Sequence, residues 1–436
     1  VRLPPGPPLQ RRPPPHRIPL LNQFPLAPVC GAKRLIASRR HEDPPRPGLD
    51  TRPPAAYARP IDAPFRWIRT PEELADFARA LEGAPALAID TESDSFYHYY
   101  EKVCLIQIAD SRGPVGLVDP LVLRDLAPLG PILASPAVEK VLHAAENDVA
   151  LLKRDFSLEF ASIFDTHAAA RLCGRIEFGL QALLERDLGV RLSKEMQRCD
   201  WSRRPLQPAQ EQYAAEDVRH LFALRNRLRE ELRSLGREGW AQEEGEALAA
   251  TLAAPRREPT DFMRLKGARD LPPRARSVLK ELVDLREAWA RKADLPLFKI
   301  MGDECLVLLA EFRPRDLHGL GRIRGLPARV RERRSHELFE AIHRGEAAPP
   351  YQPPRRERLP SRMTPAARGR ESRLKAWRAV AAERVRLDPG VLLPQRLIDV
   401  IAIEDPKDPG ALASVAGIRR WRAEAFGAEI LSALAV

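Results

Sequence analysis

Between residues 65 and 230 the apolar pattern switches period repeatedly, and few folds accommodate that. The stretch T-P-E-E-L-A-D-F-A-R-A-L (70–81) has a Thr cap, Pro at the first helical position and apolar residues at helical spacing, which predicts a helix. Three strand-like runs follow, A-L-A-I-D, V-C-L-I-Q-I-A and P-V-G-L-V-D-P, separated by gaps short enough for antiparallel hairpins. The elements then alternate: a helix near Leu123–Leu133, a strand in V-E-K-V-L-H, a helix in N-D-V-A-L-L-K-R-D-F, and a strand in S-I-F-D-T. Alternation of this kind requires crossover connections, so the expected architecture is a mixed sheet with helices on its faces.

After about Arg229 strand patterns end, and helices joined by polar and Pro-rich segments take over. A faint repeat runs through this half. The run beginning E-C-L-V-L-L (304) aligns without gaps on R-L-I-D-V-I (396), matching Pro314 with Pro406, Asp316 with Asp408, Leu320 with Leu412 and Gly325 with Gly417. Each copy reads as an apolar helix, a break and a short helix, which implies two small helical domains of related design. The expected organisation is a Pro/Arg-rich, disordered segment at 1–60, an α/β domain at 61–235, helical domains at 268–347 and 364–436, and a linker at 348–363.

Composition narrows the function classes. Lys and Arg number 71 against 60 Asp and Glu, a formal net charge of +11, which favours a polyanionic partner such as nucleic acid. The five cysteines are widely spaced and form no zinc-ligand pattern, so a reducing compartment and no structural zinc are expected. Without an apolar run near the ~20 residues a bilayer needs, or an N-terminal leader pattern, the chain reads as soluble and cytoplasmic.

Acidic residues stand where folding alone does not place them. In D-T-E a strand period of two puts Asp90 and Glu92 on one face, where two anions repel unless a cation lies between them. Asp148 begins a helix that follows a strand, and so lies near the carboxyl edge of the sheet. Tyr213 and Asp217, four apart on a helix, face the same way. Alone, each has a bland explanation: a helix cap, a solvated acid, a core tyrosine. Together, four carboxylates suit two divalent cations about 3.5–4 Å apart around a phosphodiester. Hard ions such as Mg²⁺ and Mn²⁺ prefer these oxygen donors.

This set, with the flanking D-T-E-S-D-S-F, V-C-L-I-Q-I-A, V-L-H-A-A-E-N-D, F-D-T-H-A-A-A-R-L-C-G and C-D-W-S-R-R-P-L, resembles the tyrosine subclass of the DEDD exonucleases, and within it the ribonuclease D family. The helical repeats more faintly resemble the helicase-and-ribonuclease-D C-terminal (HRDC) domain. The resemblance implies a ribonuclease H-like mixed sheet for the catalytic domain and 3′-to-5′ removal of nucleoside 5′-monophosphates from RNA ends, transfer RNA precursors among them, by a monomer. It further implies that Asp90, Glu92, Asp148 and Asp217 hold two Mg²⁺ or Mn²⁺ ions while Tyr213 orients the attacking water.

Substrate contacts are expected from Lys194, Arg203 and Arg204 beside Arg198, with Trp201 as a stacking platform set against its alternative as a core residue. Gln107 in L-I-Q-I-A and His143 at the start of the second acidic motif are further candidates. Gln107 is equally readable as a paired interior amide, and His143 more often reads as a satisfied core or supporting group. Asp165 reads as a helix cap, and the arginines of 322–334 as a phosphate-contacting or merely solvated face. Two rival functions remain open at this point: a DNA-directed 3′-to-5′ exonuclease on the same scaffold, and a catalytically silent RNA-binding protein.

Overall fold

The computed structural model describes residues 65–435 apart from 113, 193–194, 256–257 and 354–362. The segment 1–60, Lys194 and most of the expected linker therefore lie outside the described residues.

The first element, β1 (Arg66–Ile68), leads into α1 (Pro71–Leu81), whose start is fastened by the reciprocal bonds of Thr70 and Glu73. Then come β2 (Ala86–Ser93), β3 (Val103–Asp110) and β4 (Gly116–Val118), joined as antiparallel neighbours as the short gaps require. After α2 (Gly130–Ala134) the chain alternates through β5 (Glu139–Leu142), α3 (Glu146–Phe156), β6 (Ile163–Asp165) and α4 (Thr166–Leu172). The sheet order is β1-β4-β3-β2-β5-β6, with β5 parallel to β2, β6 parallel to β5 and β1 parallel to β4. The expected long helix at 123–133 is shorter. Pro128 and Pro131 lack the N–H groups a continuous helix uses, so a 3₁₀ turn at Ala127–Leu129 precedes the five residues of α2.

Helices α5 (Leu180–Leu188), α6 (Pro208–Arg219), α7 (Leu221–Ser234) and α8 (Glu238–Ala249) complete this domain. Alternation along β2 divides its side chains between two cores. Leu87 and Ile89 join Ile106, Ile108 and Val149 on one face, while Ala88 joins Leu105, Leu117, Trp201 and Ala214 on the other. Asp90 and Glu92 continue the second face, beneath α6. Gly245 lets α8 cross β6 closely: a Cβ there would lie 1.9 Å from the Ile163 carbonyl oxygen.

The first helical domain comprises α9 (Pro273–Ala293), α10 (Leu297–Ile300), α11 (Asp303–Phe312), α12 (Leu317–Gly321), α13 (Ala328–Arg333) and α14 (Ser335–Ala347). The second comprises α15 (Pro365–Val385), α16 (Pro389–Leu392), α17 (Gln395–Glu404), α18 (Pro409–Ala413) and α19 (Arg420–Ala435). Their repeat is literal at the break. Arg313 and Asp405 both end a helix in the left-handed region (φ 47° and 51°), and Asp316 and Asp408 each cap the next helix, accepting from Gly319 N at 2.7 Å and Ala411 N at 2.8 Å. Gly325 and Gly417 share positive φ (77° and 85°).

Both helical domains are anchored to the sheet domain. Trp421 of the second stacks on Trp240 of α8 with ring centres 4.4 Å apart, within a shared apolar core. The first grips the loop after β2: Asp294 accepts from the Tyr99 N–H at 3.1 Å and contacts His98 at 2.7 Å, and buried Glu287 accepts from the Tyr99 hydroxyl at 2.5 Å. No helix among the described residues is long and apolar enough to cross a membrane.

Candidate active site

The pleat of β2 aims Asp90 and Glu92 at α6, and the turn of α6 brings Asp217 back toward them. Oxygen atoms of Asp90, Glu92 and Asp217 all lie within 4.8 Å of one another. Tyr213, one turn before Asp217, hydrogen-bonds to that carboxylate. Asp148 enters from the first turn of α3 and exerts its charge on Asp90 and Glu92, but its own Oδ1 accepts a bond from the Thr91 hydroxyl. It is not the helix cap of the bland reading, because the capping position is Ala145. Thr91 escaped the sequence reading; its signal is its place between the two acids, where alternation turns it to the opposite face.

Electrostatics sets these carboxylates apart. Burial, then the charges of Asp148 and Asp217, hold the Asp90 carboxyl well above its ordinary value. Burial followed by Asp90, Asp217 and Asp148 does the same to Glu92. Asp148 is raised by burial despite the Thr91 bond, and Asp217 is pushed up by burial to about 7 despite the bond from Tyr213. Among the described residues, the main charges acting on Asp90, Glu92 and Asp217 come from acids: other carboxyls of the set, Glu216 and the Cys199 thiol. Clustered carboxylate oxygens of this kind form a donor set that fits a hard divalent ion. Burial and Asp217 also raise the Tyr213 phenol, which keeps its proton at neutral pH.

The remaining candidates divide. Trp201 is 1% exposed and lies 6.0 Å from the Tyr213 ring, so it backs the site from the core and offers no surface for a base. The stacking expectation fails because C-D-W-S carries its indole inward under α6. Arg204 is likewise committed: it binds buried Asp119 through two nitrogens, at 2.6 and 2.8 Å, and donates to the carbonyls of Cys104, Trp201 and Arg203. Gln107 is wholly buried and therefore out of reach of substrate.

Nδ1 of His143 contacts the Thr166 hydroxyl at 2.9 Å, and that hydroxyl also lies 3.0 Å from the Leu142 carbonyl oxygen. Burial lowers the His143 pKa to about 4, which leaves the ring neutral. Arg203 and Arg198 are exposed, Arg203 paired with Asp200 at 3.1 Å. Asp165 caps α4 by accepting from His167 N at 2.8 Å, and also accepts from Ala144 N at 3.0 Å, which ties down the turn that leads into α3. Of the 322–334 arginines, Arg322, Arg324, Arg329 and Arg333 are exposed, while Arg334 lies over the Trp289 ring.

Comparison with known proteins identifies the relatives of the chain. The 3′-5′ exonuclease family model matches residues 65–233, and the HRDC domain model matches twice, at 275–342 and 368–434. Ribonuclease D of Pseudomonas paraeruginosa is 32% identical over 386 residues, covering 86% of this chain and 99% of that one. Ribonuclease D of Acidiphilium cryptum is 33% identical over 367 residues, covering 84% and 91%. Among solved structures, Escherichia coli RNase D, described as an exoribonuclease involved in structured RNA processing, superimposes with a TM-score of 0.61 at 26% identity over 85% of this chain and 98% of that one.

Proposed function

Because this chain belongs to the ribonuclease D family and is a 3′-to-5′ exoribonuclease, we propose that Asp90, Glu92, Asp148 and Asp217 are the carboxylates on which its phosphodiester hydrolysis depends. The observation that carries this reading is the convergence of Asp90, Glu92 and Asp217 oxygens within 4.8 Å. These residues would hold two divalent cations, Mg²⁺ or Mn²⁺, which supply activation of water and charge stabilisation at the departing 3′ oxygen.

The chain's own groups do the rest. Tyr213 keeps its phenolic proton and hydrogen-bonds to Asp217, so it orients the attacking water and does not abstract its proton. Burial around the carboxylates limits competing solvent and strengthens their pull on a cation. The substrate class is the 3′ end of structured RNA, transfer RNA precursors in particular, shortened by a monomer that releases nucleoside 5′-monophosphates. Trp201 and Arg204 maintain the pocket from behind, and among the described candidates exposed Arg198 and Arg203 remain for the phosphate backbone.

The test uses 3′-extended transfer RNA and matched DNA, labelled at the 5′ end, with Mg²⁺, Mn²⁺ or EDTA. Stepwise shortening of the RNA with either metal, its absence in EDTA and its loss in Asp90→Asn are the expected results. Shortening that persists in EDTA or in Asp90→Asn would remove the carboxylates from the chemistry.

A further inference from the structure

The side chain of Gln107 has no partner where it most needs one. It sits in β3 between Ile106 and Ile108, with 0% exposure, and neither its amide nitrogen nor its amide oxygen has a hydrogen-bond partner among the described residues. A buried amide left unpaired is costly, and native proteins rarely keep one without a use for it. An apolar side chain would fill this position without that cost, as Leu105 and Ala109 do on the same face of the same strand.

The register tells which group the amide faces. In the antiparallel β2–β3 pair Gln107 stands directly opposite Asp90, and on its other side opposite Leu117 of β4. Directly opposed residues share a face with Cβ atoms about 4.5–5.5 Å apart, within the reach of a glutamine. Of the two cross-strand neighbours, only Asp90 can accept a hydrogen bond. The Asp90 carboxylate also accepts a hydrogen bond from the Thr91 backbone.

We propose that Gln107 is a positioning residue for the cation site: its amide N–H, which meets no acceptor in the present arrangement, donates to the Asp90 carboxylate through one buried water and fixes that carboxylate's plane when the site is loaded. The assignment rests on the reading of Asp90 as a cation ligand. Gln107 touches neither substrate nor cation in this role. Partners of this kind orient ligating carboxylates, and their loss weakens metal affinity about 10- to 100-fold.

Mn²⁺ alone, titrated calorimetrically into the full chain at pH 8, tests the assignment with Gln107→Met, which keeps the volume and removes the donor. Gln107→Leu serves as a second variant should the first not fold. Melting midpoints in EDTA and the kcat and KM for RNA shortening accompany the titration. The expected result is a midpoint in EDTA equal to or above that of the parent, Mn²⁺ bound 10- to 100-fold more weakly, and a fall in kcat with KM little changed. Mn²⁺ affinity within twofold of the parent would overturn the proposal, as would a drop in the EDTA midpoint of both variants, which would make the amide part of the core alone. Should the parent itself bind no Mn²⁺, the cation reading fails first and this one with it.

Discussion

Replacing Asp217 by Asn should make the metal-free protein more stable while destroying its activity. Burial raises the Asp217 carboxyl from 3.8 to about 7, so the folded state keeps a proton that the unfolded chain has already lost. Its contribution to stability is therefore complete below about pH 4 and is lost as pH rises through about 7. With 6% of its surface exposed, the group is little screened by solvent. The rise from 3.8 to about 7, at about 1.36 kcal/mol for each pH unit, amounts to about 4 kcal/mol of destabilisation once the carboxyl is fully charged.

Asn keeps the shape and can still accept from Tyr213, yet it carries no charge. Melting in EDTA at pH 5 and pH 8 should show the parent losing stability between the two while Asp217→Asn stays nearly level and melts several degrees higher at pH 8. Adding Mg²⁺ should restore the parent and leave the variant almost unmoved. If Asp217→Asn melted below the parent at pH 8 in EDTA, the claim that these carboxylates are held together against their own repulsion would be wrong.

Three other outcomes follow from the geometry. Tyr213→Phe keeps the ring beside Trp201 and loses the hydroxyl, so single-turnover RNA shortening should slow about 100-fold with KM unchanged. Arg204→Ala leaves buried Asp119 without its guanidinium and should cost about 3–5 kcal/mol in urea unfolding, with Arg204→Lys a poor substitute because it cannot reproduce the two-nitrogen contact. Gly245→Ala should lower the melting midpoint, since its Cβ would meet the Ile163 carbonyl, whereas Gly239→Ala, in the same helix with open space around it, should be neutral or slightly stabilising.

How much of this was legible beforehand depends on how local each signal is. Asp90 with Glu92 is readable because a strand period of two fixes their shared face, and Tyr213 with Asp217 because a helical turn does the same. The HRDC breaks are readable because Asp316 and Asp408 act on amides three residues away. Long-range choices leave no such trace. Asp119 lies 85 residues before Arg204, so nothing local tells that this guanidinium is spent inside the fold. Trp201 carries the same letters whether it faces solvent or the underside of α6. The strand β1 is three residues long and holds its place only through pairing with β4, too short for any period to register. For Asp148 the helix start was visible, but its bond to Thr91, 57 residues away, was not.

The central claim is that the acidic cluster binds a pair of cations, and counting them tests it most directly. Mn²⁺ titrated into the metal-free chain at pH 8 and followed by electron paramagnetic resonance should give two ions per chain with signals broadened by their mutual proximity, and at most one ion in Asp90→Asn. A parent chain that takes up no Mn²⁺, or an Asp90→Asn chain that takes up as much as the parent, would contradict the account.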